Sequence, residues 1–182
     1  MIPIVDDEAF VAALSAVMSD ALRMATALVG FSEADDIVQE ATIRAWSGRA
    51  TLRDRGSLRP WWLRIVYTTC LNWHKSRAGT QTRRTLSLDA GGITALMAGS
   101  ADPGDSDHSA ILDLHDAINR LDDATRPVII LRYFVGMDSA TIGTILQIPA
   151  ATVRTRLRKA LASLRDTLLA SPLSDKGGRS DV

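Results

Sequence analysis

An all-α fold, built as two small helical domains joined by a flexible linker, follows from three features of the 182-residue sequence. Apolar residues recur at helical spacing through most of the chain, with no convincing alternating strand. Residues 79–109 turn to Gly, Ser, Thr, Asp and Ala, including Gly91-Gly92 and Asp102-Pro103-Gly104-Asp105, the composition of a tether. Near the end, a short helical pattern, a three-residue turn and a longer basic helix stand in series. The expected organisation is therefore a domain over 1–78, a linker over 79–109, a domain over 110–170 and a disordered tail over 171–182.

Taken in order, Asp6 or Asp7 starts a first helix running through Phe10, Leu14, Val17, Leu22 and Leu28 to a stop at Gly30. Ser32 with Asp35 has the spacing of a capping box, opening a second helix that carries Ile37, Val38, Ala41, Ile43 and Trp46 and ends at Gly48. An arginine-rich loop, Arg49 to Ser57, leads to a third helix from about Arg59 to Arg77, with Pro60 tolerated in its first turn. Beyond the linker, Ala110 to Leu121 and Thr125 to Val135 are two helices divided by Asp122-Asp123, with Gly136 as a stop. An Asp138/Ser139 cap opens a short helix to Gln147, and Ile148-Pro149-Ala150 supplies a turn. In the last helix Val153, Leu157, Leu161, Leu164 and Leu168 make one apolar face, while Arg154, Arg156, Arg158 and Lys159 point elsewhere. A short helix, a tight turn and a basic helix suit the major groove of DNA; the competing reading is a solubilising surface helix.

Formal charge is zero, with 21 basic and 21 acidic side chains, yet the charges are segregated. Up to Glu40 the sole basic residue is Arg23; from Ala41 to Arg77, Asp54 alone opposes eight basic side chains. Such a chain can offer a protein one sign of charge and a nucleic acid the other. The single cysteine, Cys70, excludes an internal disulfide and suits a reducing compartment. With no bilayer-length apolar run and an acidic start, MIPIVDDEAF, the expected location is cytoplasmic, with no membrane insertion.

All four tryptophans, Trp46, Trp61, Trp62 and Trp73, lie in or beside the basic segment, with Tyr67. Rings interleaved with Arg and Lys suit a single-stranded nucleic acid, although tryptophans are first of all core residues. Trp61 and Trp62 point about 100° apart on a helix, so at least one is expected near the surface. Catalytic patterns are thin. Cys70 and His74 offer half of a zinc site with no second pair, and His108 and His115 read as solvated side chains. No cofactor, no metal and no enzymatic activity are expected.

In combination these segments resemble an extracytoplasmic-function (ECF) sigma factor, the bacterial sigma-70 type reduced to its second and fourth regions. SEADDIVQEATIRAW is similar to the region 2 helix that docks on the β′ clamp helices of RNA polymerase, SLRPWWLRIVYTTCLNWHKSR to the helix that captures and melts the −10 element, and the stretch from Ile118 to Leu168 to region 4, which reads the −35 element. The resemblance implies a promoter-specificity factor, with core polymerase (clamp helices and β flap), duplex and single-stranded promoter DNA and an anti-sigma factor as partners. It assigns core binding to Asp35, Asp36, Gln39, Glu40 and Arg44, an acidic face suited to a basic protein surface. It assigns the −10 strand to Arg53, Arg55, Arg59, Trp61, Trp62, Arg64, Tyr67, Thr68, Asn72, Lys75 and Arg77, with Thr68 standing where the family often has Asn. To the −35 duplex it assigns Thr152, Arg154, Thr155, Arg156, Arg158 and Lys159, Thr152 being the candidate for helix capping or a phosphate contact. Linker carboxylates Asp89, Asp102, Asp105 and Asp107 are candidate nucleic-acid mimics. The rival readings are a dimeric helix-turn-helix regulator with a sensing front domain and a sigma-like adaptor that binds proteins alone.

Overall fold

The structure, a computed structural model, describes residues 6–52, 54–78 and 113–170; the expected linker, its four carboxylates and the tail lie outside them. Among the described residues every regular element is helical.

The front half is four helices. In α1 (Asp7–Ala16), the Asp6 carboxylate accepts the Ala9 N–H at 2.7 Å. The first helix does not run on to Gly30. The Val17 N–H reaches back three residues to the Leu14 carbonyl, a tightened turn that ends α1, and α2 (Met18–Val29) leaves at 53°. With no Pro or Gly at the break, the apolar period passes through it unmarked. Helix α3 (Phe31–Gly48) starts one residue before the expected capping box: Gly30 joins α2 to α3 at φ 99°, a conformation that suits glycine, and no side chain caps the end. Between Gly48 and Leu58 the chain makes two short 3₁₀ turns, Arg49–Thr51 and Arg55–Ser57. Helix α4 (Leu58–Ala78) then drives Trp62, Leu63, Val66 and Cys70 into a core shared with Met24, Leu28 and Ile37. Phe10 meets Trp46 and Trp61 edge-on at 6.1 and 6.3 Å and closes the end of that core.

The back half starts with a helix over 113–119, α5. Arg126, 1% exposed, sits behind it and donates to the carbonyls of Ile118, Asn119 and Leu121 at 3.2, 2.6 and 2.6 Å, satisfying the acceptors that a helix end leaves open. Helix α6 (Arg126–Ile129) widens into a π turn over Ile130–Phe134, and Gly136 turns the chain at φ 75°. In α7 (Ser139–Leu146) the Asp138 carboxylate accepts the Thr141 N–H at 2.7 Å. Gln147, at φ 57°, ends it in the left-handed conformation. Helix α8 (Ala150–Ala170) buries Val153, Ala160 and Leu164; Leu161, expected on that face, is 44% exposed. Ala160 takes the inner place because the buried ridge steps by three residues there. Thr152 does not cap α8, which begins at Ala150 with the Val153 N–H already on the Pro149 carbonyl.

The halves do not stand apart. Helix α7 packs on α4, the π turn packs on α2, and the buried side chains of both halves form one continuous cluster. Three side-chain and backbone groups far apart in sequence meet at one point. Asp20, 8% exposed, takes Arg23 at 2.9 Å and the Arg59 Nε at 2.7 Å, and Arg59 Nη2 donates to the Val135 carbonyl at 3.2 Å.

Candidate nucleic-acid and partner interfaces

Three outward faces carry the candidate residues. On α3, Asp35, Asp36, Gln39, Glu40 and Arg44 are all exposed, and Arg44 pairs with Glu40 one turn away. The sequence reading missed Ile43, 68% exposed among these polar groups. An exposed apolar side chain amid an acidic face suits a protein surface better than a phosphate backbone. Its helical spacing had made it look like one more core position.

Along α4, the expected strand-binding residues divide. Thr68, Asn72 and Lys75 are exposed and fall at steps of four and three, hence on one side of the helix. The Thr68 hydroxyl is turned back onto the Ile65 carbonyl at 2.9 Å. Trp62 must be withdrawn from the set, because it is 0% exposed at the centre of the front core. Its ring completes the packing there, although its Nε1 finds no hydrogen-bond partner among the described residues. Trp61 is half-buried against Phe10 and keeps part of its ring in reach of solvent. Arg59, Arg64 and Tyr67 lie toward the back half. Arg59 is held by Asp20 and Val135, and Arg64 lines a shallow groove whose opposite wall is Ala140, Gly143, Thr144 and Gln147. Burial raises the Tyr67 phenol above its ordinary value, against the pull of the Arg156 guanidinium across the junction. Arg53 and the side chains of Arg55 and Arg77 lie outside the described residues.

A second missed feature lies at the C-terminal end of α3. Trp46 is the most exposed of the four tryptophans, at 39%, and carries Arg49 4.2 Å above its ring, with Arg49 also paired to Asp7 at 3.0 Å. The signal was present as an aromatic three residues before an arginine, but their union depended on the turn after Gly48.

On α8 the basic residues also divide. Arg156 donates to the Ala124 carbonyl at 3.1 Å and Lys159 pairs with Asp122 at 2.9 Å, so both tie the helix to the loop between α5 and α6. Arg154, Thr155 and Arg158 are exposed and line one open groove with Ala151 and Leu157. Thr152 is half-buried beside them. The α7–turn–α8 angle depends on Gly143, where an added Cβ would stand 2.6 Å from the Ile148 carbonyl oxygen.

The remaining titratable candidates are packed away. Cys70 is fully buried, and desolvation pushes its thiol up to about 12; His74 Nε2 lies 2.9 Å from the Leu28 carbonyl. His115, expected in solvent, is 8% exposed between Asp116 and Asn119, at 3.1 and 3.0 Å. It lies on the inner side of α5, where the 113–119 helix meets its neighbours. No group of three or more metal-binding side chains forms among the described residues, and no single helix there is long and apolar enough to cross a membrane.

Comparison with known proteins bears on the family and the fold. The family model for Sigma-70 region 2 matches residues 8–80, and that for Sigma-70, region 4 matches residues 111–164. The RNA polymerase sigma factor SigV of Bacillus subtilis is 30% identical over 78% of this chain and 80% of its own length. The probable RNA polymerase sigma factor RfaY of Xanthomonas campestris is 30% identical over 74% of this chain, which spans only 34% of that protein. Among solved structures, sigma factor RpoE of Bartonella quintana, in complex with the anti-sigma factor NepR, shares the fold at a TM-score of 0.61 and 18% identity, over 90% of this chain and 96% of that one.

Proposed function

Since the chain belongs to the sigma-70 family of RNA polymerase sigma factors, in the two-region extracytoplasmic-function form, we propose that it binds core RNA polymerase, recognises −35 and −10 promoter elements, opens the −10 region and starts transcription, in the cytoplasm and with no catalysis of its own. The observation that supports this most is the pairing of two outward faces of opposite character. The acidic α3 face with Ile43 in its midst suits the β′ clamp helices, and the basic Arg154, Thr155 and Arg158 face suits a duplex.

In this reading α8 enters the major groove. Arg154 and Arg158 reach base edges or phosphates, while Arg156 and Lys159 set the helix on its own domain and add charge at the margin. Thr68, Asn72 and Lys75, with the open part of Trp61, receive the unpaired strand: the ring stacks, the amide and hydroxyl hydrogen-bond, the ammonium meets phosphate. The β flap would take another face of the back half. An anti-sigma protein is the further partner, as NepR is for the solved relative.

The test is transcription in vitro from a library of randomised promoters with purified core enzyme. Promoter-specific transcripts that need both the chain and core are expected, and DNA binding by the chain that never recruits core would overturn the reading in favour of a conventional regulator. Charge reversal at Asp36 should weaken core binding and leave duplex affinity intact.

A further inference from the structure

With α8 on the −35 duplex as the premise, we propose that Thr155 reads the C5 methyl of a pyrimidine, so that thymine and 5-methylcytosine are accepted alike while cytosine and uracil bind less well. Three observations carry this. Ala151, Arg154, Thr155, Leu157 and Arg158 line one open groove, and no Asn, Gln, Asp or Glu side chain is among them. Arg154 and Arg158 are exposed and form no hydrogen bond or ion pair among the described residues, whereas Arg156 and Lys159 are committed to Ala124 and Asp122. The Thr155 hydroxyl donates to the Ala151 carbonyl one turn back, at 3.1 Å.

In the major groove guanine suits a guanidinium, adenine an amide and the amino group of cytosine a carboxylate, while thymine alone of the four bases offers a methyl. The α8 groove holds two guanidiniums and no amide or carboxylate. Its other three side chains present carbon. Ala151 and Leu157 have nothing else to offer, and Thr155, with its hydroxyl proton committed to the backbone, turns out its γ-methyl. Arg154 and Arg158 stand about 6 Å apart along the helix axis, close to two base-pair steps of about 3.4 Å. The two arginines therefore reach pairs on either side of one that lies under Thr155 and Ala151. At that pair a carbon surface gains from a methyl and gains nothing from a bare C5–H. Methylation of a cytosine there would supply thymine's methyl without changing the sequence. The upstream element would then respond to a modification that base pairing does not register.

The test uses holoenzyme assembled from the full chain and purified core polymerase. A duplex library randomised across the upstream element gives the preferred sequence, in which a thymine next to a guanine is expected on one strand. Synthetic duplexes then carry thymine, uracil, cytosine or 5-methylcytosine at that position, and their affinities are compared by competition. Thymine and 5-methylcytosine should bind alike, with uracil and cytosine about fourfold weaker, the gain from one buried methyl group. Two variants assign the effect to the side chain. Thr155→Ser keeps the hydroxyl and loses the methyl, and should abolish the preference for thymine over uracil; Thr155→Val keeps the methyl and should retain it. Equal affinity for thymine and uracil in the unaltered chain, a preference that survives Thr155→Ser, or one that Thr155→Val removes overturns the proposal, as does a preferred sequence without such a thymine. Any of these outcomes on a selected upstream element leaves the −35 assignment of α8 standing. A holoenzyme that selects no upstream sequence at all overturns both.

Discussion

Arg126 shows how a single side chain fixes a domain. Its guanidinium lies under the end of α5 and holds three carbonyls, with Asp123 3.6 Å away. Truncation to alanine removes these hydrogen bonds from a charged donor, about 1–3 kcal/mol each, although the Ile118 carbonyl keeps the Leu121 N–H at 3.1 Å, so Arg126→Ala should remove at least about 2 kcal/mol from the back half. Urea unfolding followed by circular dichroism would measure this, and a midpoint unchanged from wild type would show that water replaces the guanidinium. Asp122 makes a smaller, pH-dependent contribution. Hydrogen bonds from Lys159 and then Thr125 lower its carboxyl from 3.8 to about 2. Its folded value lies below its unfolded one, so the stabilisation is present above about pH 4 and fades as pH falls toward 2. For so exposed a pair it is worth about 1 kcal/mol or less. Comparing urea midpoints at pH 5 and pH 3 should show a smaller acid loss in Asp122→Asn than in wild type.

At the scale of elements, the turn between α7 and α8 is where packing meets the proposed recognition of DNA. Gly143→Ala would press its new methyl on the Ile148 carbonyl, and that crowding should cost about 1–3 kcal/mol and tilt α8 against α7. Thermal melting and −35 duplex affinity should fall together; normal affinity with a lowered melt would mean that the tilt relaxes. On α4 the adjacent tryptophans should behave oppositely. Trp62→Ala removes a fully buried ring, at about 3–5 kcal/mol of stability. Trp61→Ala should keep the fold and lose about 1–3 kcal/mol of strand stacking, a defect that a premelted bubble promoter rescues. Permanganate footprints of unpaired thymines on duplex and bubble templates would separate the two. Helices α3, α4, α7 and α8 were legible because caps, glycines and apolar ridges mark them in the sequence. The break at Val17 was not, since an i to i−3 hydrogen bond leaves no residue signature. Nor was the choice between Leu161 and Ala160, where size favoured the leucine and the inner ridge of the helix favoured the alanine.

For the whole molecule, what escaped the sequence was a relation between distant parts. Charge segregation and the tether-like composition of 79–109 point to two domains. That Asp20, Arg59 and Val135 would meet could not be read, because none is unusual in its own segment and their contact depends on how α2, α4 and the π turn stack. The same ignorance hid the division of α8, whose four basic residues look alike until Ala124 and Asp122 claim two of them.

The placement of the tryptophans gives the molecule a built-in optical asymmetry. All four lie between positions 46 and 73, and the back half has none. Intrinsic emission therefore follows the melting of one half, with the sealed indole of Trp62 as its bluest component, whereas far-ultraviolet dichroism sums the helices of both. If the junction couples the halves, the two signals should fall at one temperature in the wild type and separate in Thr144→Arg, which sets a second guanidinium across the groove from Arg64, so an unlabelled sample can show whether the chain unfolds as one body or as two.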